Sequence, residues 1–182
     1  LEVELADRTA REVLEAVRDA TVAAERLMVI VDDLDGLLRL GDSDGSTGDS
    51  VELVPLVESV VTAATARSAS RGITVVTTMP TTLEIAGAGA LLGRALVAVV
   101  EATARGAPAG GRVELSVHAR DQGEVEISVA LAGSVDLPSP PLAIESAGLG
   151  VYIALRVVEA HGGSLVLLQT TSMPRIVIRL PR

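Results

Sequence analysis

The chain contains no cysteine, lysine, asparagine, phenylalanine or tryptophan, and one tyrosine, Tyr152, in 182 residues. Each absence excludes something. Without cysteine there is no disulfide, no thiolate metal site and no Cys–His nucleophile pair. With only His118 and His161, a histidine metal cluster is also out of reach. No protease, glycosidase or oxidoreductase constellation is visible, and no catalytic or metal-ligating residue is assigned. All 15 basic residues are arginine, so a mechanism that needs an Asn ligand or a Lys cannot run here in its usual form. The same bias is what a GC-rich bacterial genome produces. A formal net charge of −9 and a pI near 4.7 argue against a nucleic-acid-binding face. Apolar runs are short and interrupted, none approaching the ~20 residues of a membrane span, and no signal peptide is visible. A cytoplasmic domain without a membrane span is expected.

What is present is apolar and aliphatic. The sequence is 48% hydrophobic but 1% aromatic, so Val, Leu, Ile and Ala must build the core. Residues 5–40 form one long helical pattern without Pro. Val13, Val17, Ala20, Ala24, Leu27, Val31, Leu34 and Leu38 alternate spacings of four and three, an a/d seam flanked by charge. Such a stripe needs a partner, and self-association is favoured over packing on its own domain. The polar run Gly41–Ser50 reads as a linker and hinge. The domain reading is therefore 1–41 a dimerisation-type helix, 42–50 a linker, and 51–182 a globular domain.

Within that domain the patterns predict a helix over 51–70 with Pro55 in its first turn, then strands at 73–78 and 82–85. A helix over 88–105 is stopped by Gly106 and Pro108. Strands at 112–119 and 124–131 form a hairpin around Asp121-Gln122-Gly123, and residues 132–146 are irregular. A further helix precedes strands at 165–170 and 175–180. The order gives an α+β class: a two-layer sandwich of one mixed sheet with helices on one face, preceded by a long helix.

The most informative stretch runs from Glu145 to Ser164. Gly148-Leu149-Gly150 opens an amphipathic helix with Val151, Ala154, Leu155 and Val158 on one face. Glu159-Ala-His-Gly-Gly163 closes it before a strand. Free N–H groups and the helix dipole make such a start a natural anion site. Gly-Leu-Gly alone is a weak signal, but the whole string resembles the last glycine box and following helix of the ATP-binding domain of sensor histidine kinases. The resemblance extends over nearly the whole chain and implies the two-layer ATPase fold, ATP and magnesium as cofactors, and a place in two-component signalling.

The family's nucleotide residues map onto this sequence as follows. Its Asn-x-x-x-Asn-x-x-Lys helix, fixed by Pro108-Ala109-Gly110-Gly111 behind it, places Ala98 and Ala102 at the Asn positions, Glu101 at the intervening acid and Arg105 at the Lys. An alanine methyl cannot ligate magnesium. The family's Asp-x-Gly-x-Gly, whose Asp accepts the adenine amino group, falls on Leu131-Ala132-Gly133, so Leu131 replaces the Asp. The mobile lid with its phenylalanine is shortened and has no Phe. No histidine matches the family's phosphate acceptor, and His161 belongs to the closing string, where the kinases place it structurally. The cofactor-binding candidates that the resemblance leaves are Gly148, Leu149, Gly150, Gly133, Arg105 and Glu101.

These residues imply a degenerate kinase, or pseudokinase, that acts by protein contacts as a homodimer with a response regulator or another signalling protein. The alternatives are an active sensor histidine kinase with divergent motifs, and a phosphotransferase carrying a dead ATPase domain.

Overall fold

A computed structural model describes residues 13, 17, 20, 50–120, 123–132, 148–169 and 174–182. The chain divides into two compact units, Leu1–Asp35 and Gly36–Arg182. Of the first, Val13, Val17 and Ala20 are helical and exposed. The rest of the predicted stem and residues 42–49 of the linker lie outside the described residues.

The second unit runs β1 (Ser50–Glu52), α1 (Leu53–Ser68), a 3-10 turn (Ala69–Arg71), β2 (Thr74–Thr78), β3 (Glu84–Ala86) and α2 (Gly89–Gly106). It continues with β4 (Arg112–Arg120), β5 (Glu124–Leu131), α3 (Leu149–Ala160), β6 (Ser164–Gln169) and β7 (Pro174–Pro181). Five strands form a mixed sheet in the order β2-β4-β5-β7-β6. Only the β2–β4 pair is parallel.

Alternation in the strands explains the layering. Val113, Leu115 and Val117 of β4, Val125, Ile127, Val129 and Leu131 of β5, and Ile176, Ile178 and Leu180 of β7 are all buried. Residues two apart share a face, so these side chains form one apolar floor. The helices cover it with stripes at helical spacing: Leu53, Val57, Val60 and Ala64 from α1, Leu92, Ala95, Leu96, Val99 and Val100 from α2, and Val151, Ala154, Val157 and Val158 from α3. Burying each Val or Leu contributes about 1.5–3 kcal/mol, which lets an aliphatic core do without aromatics. The α+β sandwich with helices on one face is the fold the sequence predicts.

The departures are at boundaries. Residues 50–52, expected as linker and helix start, form β1, which pairs antiparallel with β3 as a separate two-stranded sheet. Ser50 Oγ donates to Glu84 at 2.9 Å, and Leu53 N–H donates to Leu83 C=O at 2.8 Å. That pairing delays the helix to Leu53. The strand expected at 82–85 occupies Glu84–Ala86 for the same reason. At the far end of α3, Gly163 is confined by packing, since a methyl there would overlap the Arg179 carbonyl.

Candidate functional site

The second half of α2, the end of β5 and the start of α3 converge at one end of the sandwich. Gly148 begins α3 with φ 94, a conformation that glycine adopts without strain, and no side chain caps the helix. The α2 guanidinium of Arg105 reaches this turn: a methyl added to Gly148 would sit 3.7 Å from its Nη2. Two candidates distant in sequence are thus neighbours. Leu149 and Gly150 form the first turn of α3, with Leu149 38% exposed. Gly133 lies outside the described residues.

Glu101 faces another way. Its carboxylate accepts from Arg67 of α1, an ion pair across the two helices. Ala98 and Ala102 are half-buried on α2. Leu131 is 3% exposed, and a methyl on Gly106 would lie 3.7 Å from its Cδ1. Leu131, which the resemblance matches to the adenine-reading Asp, therefore lies in the core beneath the end of α2. No carboxamide stands at 98 or 102 and no carboxylate at 131, so these positions do not fit a magnesium nucleotide in the family's manner. Among the described residues, no buried side-chain nitrogen or oxygen lacks a hydrogen-bond partner. No group of three or more His, Asp or Glu among them could hold a metal.

His161 sits at the opposite end of α3. Its Nδ1 lies 2.7 Å from the Val157 carbonyl, and its Nε2 accepts the Ala88 N–H at 3.0 Å. These partners fix the tautomer as Nδ1–H, since one nitrogen must donate and the other accept. The ring ties the end of α3 to the start of α2. Gly87 gives it room, because a methyl there would overlap the imidazole. The sequence predicts the structural role of His161 but not Gly87 or Ala88 as its partners. Also missed are Arg67, inside α1, and Arg71, whose Arg-Gly context reads only as a helix end. His118 lies on β4, exposed, opposite Glu126.

No protein-family model matches the sequence, and no curated protein sequence matches it. Among solved structures, the chain is similar to the mycobacterial sensor histidine kinase MprB, with a TM-score of 0.58 and 25% identity over 73% of this chain and 96% of that one. It is also similar to the Acinetobacter baumannii histidine kinase AdeS, at TM-score 0.68 and 17% identity over 87% of this chain and 79% of that one. The cytoplasmic segment of histidine kinase QseC gives TM-score 0.61 and 19% identity, covering 87% and 95%. The fold is that of the ATP-binding domain of sensor histidine kinases, and the chain is histidine-kinase-like. No helix among the described residues is long and apolar enough to cross a membrane.

Proposed function

We propose that this chain is a cytoplasmic two-component signalling protein, a pseudokinase on a histidine kinase frame that acts through protein contacts. The observation that carries the reading is Leu131, buried at 3% exposure where the family reads adenine with an aspartate. Losing that buried hydrogen bond weakens nucleotide binding by about 1–3 kcal/mol, or one to two decades, before the metal is counted. Ala98 and Ala102 add the loss of the magnesium ligand, and phosphoryl transfer depends on positioned metal and charge. Arg105 beside the Gly148 turn supplies a cation but no metal ligand. Calorimetric titration with ATP, with and without magnesium, tests the reading. Binding absent or no tighter than millimolar is expected; micromolar, magnesium-dependent binding would overturn it.

The proposal includes a homodimer through the first helix, with a response regulator or another signalling protein as partner. The a/d seam supports it, and among its described members Val13, Val17 and Ala20, the two valines are 55% and 57% exposed on helical backbone. Light scattering after size exclusion should give a dimer that Leu27→Asp with Leu34→Asp dissociates. A monomer at tens of micromolar, or a dimer indifferent to that pair, would count against the seam.

A further inference from the structure

Arg71 reaches the end of α2 with both its backbone and its side chain. Its carbonyl accepts the Gly110 N–H at 2.9 Å. Its guanidinium donates to the carbonyls of Ala104 at 3.0 Å, Arg105 at 3.3 Å and Ala107 at 2.5 Å. The last turn of a helix leaves such carbonyls without the regular i+4 partner. The Ala104 carbonyl has the Ala107 N–H at 3.1 Å besides Arg71, and a cation there also meets the negative end of the helix dipole. One turn earlier on the same flank, Arg67 of α1 holds Glu101 of α2. Two arginines from α1 and the turn after it therefore grip the C-terminal half of α2. Beyond that grip, Arg105, whose carbonyl Arg71 engages, extends its own guanidinium to the Gly148 turn that starts α3.

We infer that Arg71 is a positioning residue: it fixes the last turn of α2 and so sets where Arg105 lies against Gly148. Displacement of α1 then passes through α2 to the start of α3. The planar guanidinium spreads these bonds over two nitrogens, Nη1 to Ala104 and Arg105 and Nη2 to Ala107, whereas an ammonium presents its three N–H groups from a single point. The latch is made wholly of protein groups, so it stands whether or not a nucleotide binds.

Amide hydrogen exchange on the whole chain tests the coupling. The Val151 and Tyr152 N–H groups bond the Gly148 carbonyl at 3.2 and 3.4 Å, while Gly163 N–H bonds Val158 at the other end of α3. Arg71→Gln should speed exchange about tenfold at Ala107 and Gly110, the order of one lost hydrogen bond to a charged group. The ratio of exchange at Val151 and Tyr152 to that at Gly163 should rise by a similar factor. Arg71→Lys should recover only part of both effects. Val125→Ala, which thins the core and leaves the latch intact, should raise exchange without moving the ratio. Faster exchange confined to residues 107–110, or a ratio that Arg71→Gln and Val125→Ala change equally, overturns the coupling and reduces Arg71 to a helix cap. If Arg71→Gln does not fold, Arg67→Gln should raise the same ratio by a smaller factor, and no rise would equally overturn it.

Discussion

The start of α2 and its last two turns are held by different means. At the start, the His161 ring bridges Ala88 N–H and Val157 C=O over Gly87, and His161 itself belongs to the His-Gly-Gly string that resembles that of the kinases. At the other end, the positions that the resemblance matches to the kinases' Asn, Asn and Asp hold Ala98, Ala102 and Leu131, and Arg67 and Arg71 do the holding. The polar groups that join helices are in place, whereas on the proposed reading those that would meet a nucleotide are replaced by methyls and a leucine. On that reading, fold and chemistry separate between the two ends of α2. A nucleotide-reading residue can be exchanged for a core residue when the new side chain fills the space and leaves no polar atom unpartnered.

The largest expected effect comes from restoring the family's acid at the chemical end. Leu131→Asp places a carboxylate at a site 3% exposed, without a designed partner, and should lower stability by about 4 kcal/mol. It should not confer ATP binding, because Ala98 and Ala102 still offer no metal ligand. Chemical denaturation and calorimetry check the two halves. A well-folded Leu131→Asp that binds ATP would break the comparison, since the site would then be intact apart from one side chain.

At the structural end the effects are smaller but coupled. His161→Ala strands the Ala88 N–H, while the Val157 carbonyl keeps the backbone N–H of residue 161, and it should lower stability by about 2 kcal/mol. Gly87→Ala alone should lower it by a similar amount, through overlap with the ring. Together they should fall short of the sum by about 1 kcal/mol or more, because removing the imidazole removes the clash. Additive values from urea unfolding would mean that the joint is not one unit.

The glycine box separates into two unequal positions. Gly148 has φ 94, outside the helix, so Gly148→Ala should lower stability by about 1 kcal/mol. Gly150 lies in the first turn of α3, where alanine is the better helix former, so Gly150→Ala should be less harmful. Thermal melts rank the pair, and the reverse order would reassign which glycine shapes the turn.

The layered α+β fold was legible because its signals are periodic: strands alternate and helices repeat, and both fix which face is buried. The Glu145–Ser164 string was legible because a turn, a helix and a strand are specified together. The short strand β1 was not, since three residues carry no period and the pairing with Glu84–Ala86 lies 34 positions away. Arg71 was hidden for the same kind of reason. Arg-Gly before a strand looks like a helix stop, and only the folded chain brings its guanidinium to carbonyls more than thirty residues on. At the candidate site, sequence placed Arg105 and Gly148 in one family motif set, but their proximity and the diversion of Glu101 to Arg67 are tertiary facts.

The smallest effect lies on the sheet face away from the helices and serves as a reference for both ends of α2. Glu126 accepts from Arg120 at 2.6 Å and from Arg179 at 3.2 Å, and its side chain is 13% exposed. The hydrogen bond from Arg120 holds its carboxyl below the usual carboxylate value, with Arg179 adding to this and burial opposing it. A folded-state value below the unfolded one means that the charged form favours folding. The contribution is therefore complete above the unfolded value of about 4.5 and is lost as pH falls through the folded value. Both arginines are about half exposed, so screening limits the contribution to roughly 1 kcal/mol or less. Wild type should exceed Glu126→Gln by this small margin at neutral pH, and the margin should close in acid and shrink at high salt. Urea midpoints at both pH values decide it. A margin that survives acid would mean that Glu126 acts by packing rather than by charge, and the sheet face would no longer be a charge-only reference for the two ends of α2.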